Sequence, residues 1–494
     1  MLTKKKEGIL MAKNKKKTLG FDWKIVLLIQ VIASVALLIS VMRLGMLPTL
    51  YLGIVAGILA LLCLIFAVMM KPRKKKNSIG KLFAKVVSLL LSILLALGCL
   101  YIEKGNSVLD IIAGANKQIT RYSLFVLADN EADKLKDLEI DTFNLCQMND
   151  KPAHIQEVLN ALNEDASMDY ETVSNYTELA QSLYDKEVDA ILMNEAFIGL
   201  LEDTYPTFAT DTKSVWHYDI IEDVEDISKE ADVTKETFTI YVSGIDTTGP
   251  ISSVSRSDVN MLITVNPVSK QILMTSIPRD YFVPFANFDY QTSDKLTHAG
   301  LAGVENSVKT IENFLGIDIN YYAKVNFTSL ETIVDALGGI TVDSPYAFTS
   351  LHGNYWFNQG LNEMDGHKAL CFVRERYSLP HGDNDRVYNQ QLVIKAMIEK
   401  ALSPSIITNY TSILDAVSGA IELNMDSKDI MKFIRAQLND MSGYTFHSQQ
   451  LSGWGDTRYG GAYYPYEALY YMIPNDDSVE ECKQMIKQMT YQAD

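Results

Sequence analysis

The sequence predicts an α/β fold that is anchored in a membrane by three N-terminal helices. Three observations lead to this prediction: long apolar runs in a basic N-terminal segment, an acidic composition after residue 102, and strands that alternate with helices from residue 236 onward. Such alternation indicates layers of helices packed on a sheet. We therefore expect transmembrane helices, a small α/β accessory domain, and a layered α/β/α domain with a central mixed sheet.

The apolar runs cover residues 25–42, 50–70 and 86–102. Each is close to the roughly 20 residues that cross about 30 Å of hydrocarbon. Lysines cluster before the first run and between the second and third, whereas the loop between the first and second holds only Arg43. Because cytoplasmic loops are rich in Lys and Arg, we expect a multi-pass protein of the cell membrane with a cytoplasmic N-terminus and an extracytoplasmic body.

Charge and cysteine content narrow the function class. Residues 1–85 carry 16 Lys and Arg against two acids, and the rest of the chain carries 28 against 59, a net charge of −31. A body of this sign repels nucleic acid, so no nucleic-acid partner is expected. The five cysteines form no C-x-x-C metal pattern and no disulfide framework.

The predicted domains follow these changes in composition. Residues 1–104 hold the cytoplasmic tail and the three spans, residues 105–235 an accessory domain with an acidic linker, and residues 236–494 the domain that carries the chemistry. In the accessory domain, "TRYSLFVLAD" alternates as a strand, and "SNYTELAQSLYDKEVDAILMNEAF" predicts a helix, a turn and a strand. We interpret this domain as a spacing element.

The third domain shows the strongest patterns. "TFTIYVSGID" is typical of a strand, "NMLITVNPVSKQILMTSIP" of a hairpin, and "VENSVKTIENFLGI" of a helix that ends at Gly316. "YYAKVNF", "TSLETIVDALGG" and "ITVDSP" predict a strand, a helix and a strand, and "RVYNQQLVIKAMIEKAL" predicts a further helix. The last ninety residues are expected to form an outer layer of the same domain.

Basic side chains gather near the predicted ends of these elements. They are Arg256, Arg279, Arg374, Arg376 and Arg386. A guanidinium group binds phosphate through two parallel hydrogen bonds, so the set predicts a phosphate or pyrophosphate ligand, although a single arginine is more often a surface ion-pair partner. Arg374 and Arg376 share a face if "CFVRERY" is extended, and Arg386 and Gln390 share a helix face, where a solvated stripe is the alternative.

Candidate metal ligands are Asp246, after "VSGI", and Asp258, in "SRSD". Mg²⁺ commonly takes one or two carboxylates together with phosphate oxygens. The alternative is that these side chains cap turns or pair with nearby arginines. No H-E-x-x-H, Walker or G-x-S-x-G motif is present, and His298 and Cys371 are interpreted as structural.

Six linked motifs resemble the LytR-CpsA-Psr family over the motif core, residues 236–402. They are "GIDTTG", "SRSDVNMLITVNPVSKQILMTSIPRD", "DKLTHAG", "VDALGGITVD", "GLNEMDGHKALCFVRERY" and "DNDRVYNQQ". The three spans and the acidic accessory domain are similar to the CpsA-type capsule branch of Gram-positive cocci. Two positions depart from the usual pattern: Thr248 and Asn389 stand where the family often has arginine.

The resemblance implies a phosphotransferase that attaches capsular polysaccharide or a related glycopolymer, delivered on undecaprenyl pyrophosphate, to peptidoglycan. It implies Mg²⁺, or alternatively Mn²⁺, at Asp246 and Asp258. The pyrophosphate ligands would be Arg256, Arg279, Arg374, Arg376, Arg386 and Gln390, and the catalytic group Asp246, Asp258, Arg279 and Arg374. Apolar helices would hold the polyprenyl chain, and capsule-assembly proteins would be partners. The alternatives are a membrane-anchored regulator that only binds the polyprenyl pyrophosphate, and a pyrophosphatase.

Overall fold

The computed structural model describes residues 22–72, 78–113, 117–245, 250–288, 292–403, 413, 416 and 418–490. The chain divides into two compact units, Met1–Lys104 and Gly105–Asp494. Asp246 and Thr248 lie outside the described residues, so their predicted roles stay predictions.

The first unit contains α1 (Trp23–Leu44), α2 (Thr49–Met70) and most of α3 (Ser78–Ala113). The Asp22 side chain accepts a hydrogen bond from the backbone N–H of Lys24 and begins α1, and Gly45 ends it at a φ of 70°. All three predicted runs lie within these helices. Stretches of 22, 22 and 26 residues are long and apolar enough to cross a membrane, which supports membrane anchoring.

A five-stranded sheet opens the second unit, in the order β3-β2-β4-β1-β5. Its strands are β1 (Lys117–Leu127), β2 (Thr142–Cys146), β3 (Asp169–Val173), β4 (Ile191–Asn194) and β5 (Thr212–Asp223), and its helices are α4 (Pro152–Asp165), α5 (Tyr176–Tyr184), α6 (Ile198–Leu201) and α7 (Phe208–Asp211). Alternate residues of β1, among them Leu124 and Val126, pack against α4. The strand, helix and strand predicted for this segment are present.

The second sheet has six strands in the order β16-β11-β6-β7-β8-β17. They are β6 (Phe238–Ile245), β7 (Ser257–Asn266), β8 (Gln271–Ile277), β11 (Tyr321–Val325), β16 (Glu422–Leu423) and β17 (Thr445–Gln450). β6 pairs antiparallel with β7 and parallel with β11, which makes the sheet mixed, as expected. β7 and β8 form the predicted hairpin, whose turn is held by Asn266 through hydrogen bonds from the N–H groups of Val268 and Ser269.

Two helical layers cover this sheet. The helices are α8 (Val304–Leu315) and α13 (Asp476–Thr490) on one face, and α11 (Asp383–Ala401) and α12 (Ser427–Asp440) on the other. Tyr241 and Leu262 pack on the side of α8, whereas their neighbours Val242 and Ile263 pack on the side of α11. Successive strand residues point to opposite faces, so one sheet supports both layers. The α/β/α prediction is confirmed.

A third group of elements packs beside α11. It consists of α9 (Phe327–Ala336), α10 (Gly366–Arg374) and the hairpin strands β12 (Ile340–Ser344), β13 (Phe348–Thr349), β14 (Trp356–Phe357) and β15 (Gly360–Met364). The remaining strands are β9 (Phe282–Pro284), β10 (Ser293–Lys295), β18 (Gly453–Arg458) and β19 (Leu469–Pro474).

The last ninety residues are more than an outer layer, and that prediction was incomplete. β17 joins the central sheet as an edge strand parallel to β8, with Thr445 beside Gln271 and Gln450 beside Ser276. The polar sequence "TFHSQQ" hid this strand, because an edge strand with half-exposed side chains lacks the apolar alternation of a buried one.

Candidate active site

Several strand ends meet at one edge of the six-stranded sheet. β6 ends at Ile245 and β11 at Val325, while β7, which runs the opposite way, begins at Ser257. A cavity of about 460 Å³ lies at this edge. That volume falls within the range of about 300–1,000 Å³ typical of ligand pockets, which in open α/β sheets lie outside the carboxyl ends of strands.

The lining of the cavity divides into two parts. The polar part comprises Asp258, Arg279, Asn326, His352, Arg374, Arg376, Tyr377, Arg386 and Gln390. The apolar part comes from the sheet, α9 and α11, and includes Val242, Ile263, Ala323, Val325, Phe327, Leu330, Ile333, Val393, Ile394, Met397, Ile398 and Ile421. Cationic and apolar groups therefore line one continuous space, which suits a ligand with an anionic head and a hydrocarbon tail.

Asp258 is the central carboxylate of the polar part. Its Oδ2 accepts a hydrogen bond from Arg279 Nη1 at 3.0 Å, and its Oδ1 accepts one from Thr297 Oγ1 at 2.9 Å. Burial acts to raise the pKa of Asp258, but the positive charges of Arg279 and Arg256 outweigh burial and hold the pKa below its usual value. Asp258 is therefore an anion at neutral pH and fixes the guanidinium of Arg279 beside the cavity.

Arg386 and Gln390 lie one turn apart on α11, as the spacing predicts, and both line the cavity. Arg386 Nη2 is 2.7 Å from Asp383 Oδ1. Its Nε is buried and, within the described part of the chain, has no hydrogen-bond partner. A buried donor without a partner is costly, so this N–H is available to an anionic ligand in the cavity.

Arg374 and Arg376 also line the cavity, although "CFVRERY" is helical as far as Arg374 and does not meet the condition of an extended chain. Asp365 caps α10 by accepting a hydrogen bond from the N–H of Lys368, and the helix runs as far as Arg374. Arg376 follows the helix end. The guanidinium of Arg374 lies 4.5 Å from the centre of the Phe327 ring, a stacking contact that orients it.

Arg256 takes a different position from the other predicted ligands. It does not line the cavity. Its Nη1 donates a hydrogen bond of 2.5 Å to the carbonyl oxygen of Gly199, and only 12% of its side chain is exposed. The described structure thus brings five of the six predicted pyrophosphate ligands together and leaves Arg256 against the five-stranded sheet domain.

Four further residues of the motifs lie near the site or in the surrounding core. Asn389 is buried, with its Nδ2 3.5 Å from the carbonyl oxygen of Phe372, and it does not line the cavity. His298 is fully buried with Nδ1 3.0 Å from Asp294, consistent with a structural role. Thr297 and Asp383 were not among the predicted site residues, although they lie within the motifs "DKLTHAG" and "DNDRVYNQQ".

A metal would have to be held by few protein ligands. Within the described ranges, no group of three or more His, Cys, Asp or Glu side chains is arranged to hold an ion. Asp258 fits a metal site with fewer protein ligands. An ionised carboxylate has about four acceptor positions, and the two described hydrogen-bond partners of Asp258 occupy only two of them. Mg²⁺ often binds through one or two carboxylates with substrate phosphates.

The model of the LytR_cpsA_psr family matches residues 204–487, more than half of the chain. The chain belongs to this family. Its members include the polyisoprenyl-teichoic acid–peptidoglycan teichoic acid transferase TagU of Enterococcus faecalis, which is 37% identical over 232 residues, or 46% of this chain and 74% of that protein. The Bacillus subtilis protein of the same name is 34% identical over 240 residues, or 48% and 75%.

Solved structures of family members align over about half of the chain. The crystal structure of B. subtilis TagV covers 52% of this chain and 99% of its own, at 26% identity and a TM-score of 0.44. A structure of TagT described as bound to LI-WTA covers 53% and 94%, at 28% identity and a TM-score of 0.42.

Proposed function

We propose that this protein transfers a glycopolymer, capsular polysaccharide or a related polymer, from a polyisoprenyl-pyrophosphate carrier to peptidoglycan. The observation that carries the proposal is the cavity, which joins an apolar wall to a cluster of arginines. A polyisoprenyl pyrophosphate has the same division into hydrocarbon chain and anionic head. The family relatives, named as transferases between a polyisoprenyl carrier and peptidoglycan, support this reading.

The reaction requires charge neutralisation and positioning more than covalent catalysis. A hydroxyl oxygen of peptidoglycan attacks the phosphorus that bears the glycopolymer. A new P–O bond forms, the bond to the bridging oxygen breaks, and polyisoprenyl phosphate leaves while the hydroxyl proton passes to a base. Arg279, Arg374 and Arg386 stabilise the charge that develops on the phosphate oxygens.

Mg²⁺ is proposed as the cofactor, held by Asp258 together with Asp246. When bound, the ion would neutralise phosphate oxygens. Chelation with EDTA should abolish conjugate formation, and added Mg²⁺ should restore it. Full activity after rigorous removal of metal would refute this part of the proposal.

The catalytic body is proposed to lie outside the cell. Lysine clusters precede the first span and lie between the second and third, and Lys-rich segments are typically cytoplasmic, so the chain after the third span would be extracytoplasmic. Assembly proteins of the polymer would then meet the protein at the membrane. A reporter enzyme that is active only after export, fused to the C-terminus of the full chain, should be active. A reporter fused in the loop between α2 and α3 should be inactive, and the opposite pattern would reject this topology.

The direct test uses the full chain in nanodiscs with a polyisoprenyl-pyrophosphate-linked oligosaccharide, peptidoglycan fragments and Mg²⁺. We expect a phosphodiester-linked conjugate that disappears in Arg279→Ala. Arg435→Ala is the matched control, because Arg435 is an exposed arginine on α12 outside the cavity lining. Tight lipid binding without any conjugate would favour a binding or regulatory protein, and release of the polymer phosphate into water would favour a pyrophosphatase.

A second test addresses the apolar part of the cavity. Ala323 lies on β11 and lines this part, so Ala323→Phe should shorten the space for a hydrocarbon chain. We expect weaker binding of a long polyisoprenyl pyrophosphate and unchanged binding of inorganic pyrophosphate. Equal weakening of both ligands would place the tail elsewhere.

A further inference from the structure

Residues 198–204 of the five-stranded sheet domain contact Arg256, Lys295 and Tyr464 of the domain that holds the cavity. The carbonyl oxygen of Gly199 accepts the hydrogen bond from Arg256. A Cβ atom at position 199 would lie 2.6 Å from the guanidinium, so a larger residue there would displace the Arg256 side chain. The neighbouring carbonyl of Leu200 accepts a hydrogen bond of 2.6 Å from the hydroxyl of Tyr464. This segment is thus fitted closely to the domain that holds the cavity.

Asp203 lies between two cations at this contact. Its Oδ2 is 3.0 Å from Lys295 Nζ, and its Oδ1 is 3.9 Å from Arg256 Nη1. The exposed fractions of the two cationic side chains are 9% and 12%. A charge that is nearly buried must be paired, because removing its partner leaves an uncompensated charge. Asp203 therefore fixes the place of both cations.

The charges continue from Asp203 to the cavity. Lys295 Nζ is also 3.8 Å from Asp280 Oδ1, and Asp280 Oδ2 is 3.8 Å from Arg279 Nε. Arg279 in turn donates to Asp258, the central carboxylate of the site. Positive and negative groups alternate along this path, so each member limits the positions of the next.

From this path we infer that Asp203 is a positioning residue for the active site and that the five-stranded sheet domain completes the site instead of serving as a spacer. The family match begins at residue 204, so Gly199 and Asp203 lie just outside the part of the chain that matches the family. The inference rests on the proposed transferase function, and it concerns Arg256, Lys295 and Arg279 as the groups through which Asp203 acts.

The test measures transfer by the full chain in nanodiscs after Asp203→Asn. We expect kcat to fall about tenfold, because the cations lose their fixed positions, while KM for the carrier falls, because one negative charge near the pyrophosphate is gone. Asp203→Glu should recover part of kcat. The matched control is Asp133→Asn, which removes an exposed ion pair with Lys213 in the same domain and should leave transfer unchanged.

A double-mutant cycle separates positioning from a general structural role. If Asp203 acts through Lys295, the variant that combines Asp203→Asn with Lys295→Gln should lose no more kcat than the worse single variant. Three results would each overturn the inference. The first is additive losses of kcat in the double variant, and the second is a kcat of Asp203→Asn equal to that of the control. The third is a loss of kcat that is matched by an equal loss of folded protein in thermal unfolding.

Failure of the proposed transferase function can be distinguished from failure of this inference. If the wild-type chain forms no conjugate with any acceptor, binding of inorganic pyrophosphate becomes the readout. Asp203→Asn should then lower the Kd at least threefold, and Asp133→Asn should not change it. An unchanged or higher Kd in Asp203→Asn would overturn the inference even in that case.

Discussion

Two partly buried aspartates, one in each sheet domain of the second unit, illustrate different uses of a carboxylate. Asp150 accepts hydrogen bonds from the hydroxyls of Tyr122 at 2.6 Å and Tyr176 at 2.8 Å and from Asn194 Nδ2 at 3.0 Å. All three donors are neutral. Burial raises the pKa of Asp150 despite these hydrogen bonds. The pKa of Asp258 is instead lowered, because cations surround it.

The difference shows that burial alone does not identify a functional carboxylate. Both side chains accept hydrogen bonds, but the three described donors to Asp150 are neutral, whereas one of the two described donors to Asp258 is the cation Arg279. Asp150 ties β1, β4 and α5 together through neutral groups, so it is expected to serve the fold. Asp258 collects arginines at a cavity, so it is expected to serve the reaction.

The largest effect is expected for Asp258→Asn. The amide keeps the shape of the side chain but removes the negative charge that fixes Arg279, so transfer should fall at least a hundredfold. The effect is measured as the amount of conjugate formed, divided by the amount of folded protein in the assay. Activity within fivefold of wild type would remove Asp258 from the catalytic group.

A somewhat smaller effect is expected for Arg279→Gln, about tenfold to a hundredfold in kcat/KM. The loss of this cation should also raise the pKa of Asp258, because Arg279 is the largest of the influences that lower it. Activity that depends on ionised Asp258 should then decline at a higher pH on the acidic side than in wild type. A pH–rate profile checks this shift, and an unmoved acidic limb would contradict it.

Asp150→Asn should change the pH dependence of the protein's stability and leave the transfer rate within twofold of wild type. The pKa of Asp150 is higher in the folded state, so its contribution to stability is fully present below the unfolded value of about 3.9 and is lost as pH rises through the folded value. Thermal unfolding from pH 4 upward should therefore be less dependent on pH in the variant. An equal dependence would show that Asp150 does not titrate as argued.

The smallest effect is expected for Asp129→Asn in the same sheet domain. Asp129 is 75% exposed and lies 3.9 Å from Lys186, which is itself 69% exposed. Exposed ion pairs contribute little because water and salt screen them. Neither the unfolding temperature nor the transfer rate should change measurably. A clear loss of either would show that the exposure of an ion pair does not predict its contribution in this domain.

Much of the fold was predictable from local patterns. The hairpin of β7 and β8 and the helix α8 follow from apolar spacing and turn residues, which act over a few positions of the chain. Arg386 and Gln390 were placed together correctly for the same reason. The helix α10 was not predicted, because "CFVRERY" was considered only as extended chain, whereas the chain is helical as far as Arg374.

The contacts of Arg256 could not be predicted in this way. Its partners, Gly199 and Asp203, are more than fifty positions away, and no local pattern links them. The same holds for Thr297, whose hydroxyl meets Asp258 only after the chain between them has folded. Sequence patterns indicated which residue types form the site, whereas long-range packing decides which of them face the cavity.

The position of β17 has a consequence for the order of synthesis. Thr445 pairs with Gln271, which the ribosome adds 174 residues earlier. Until residues 445–450 emerge, the outer edge of β8 has no partner strand, and an unpaired edge can pair with another chain. Protein made on slow or interrupted ribosomes should therefore aggregate through β8, and early capture of this edge by a chaperone would protect the nascent chain.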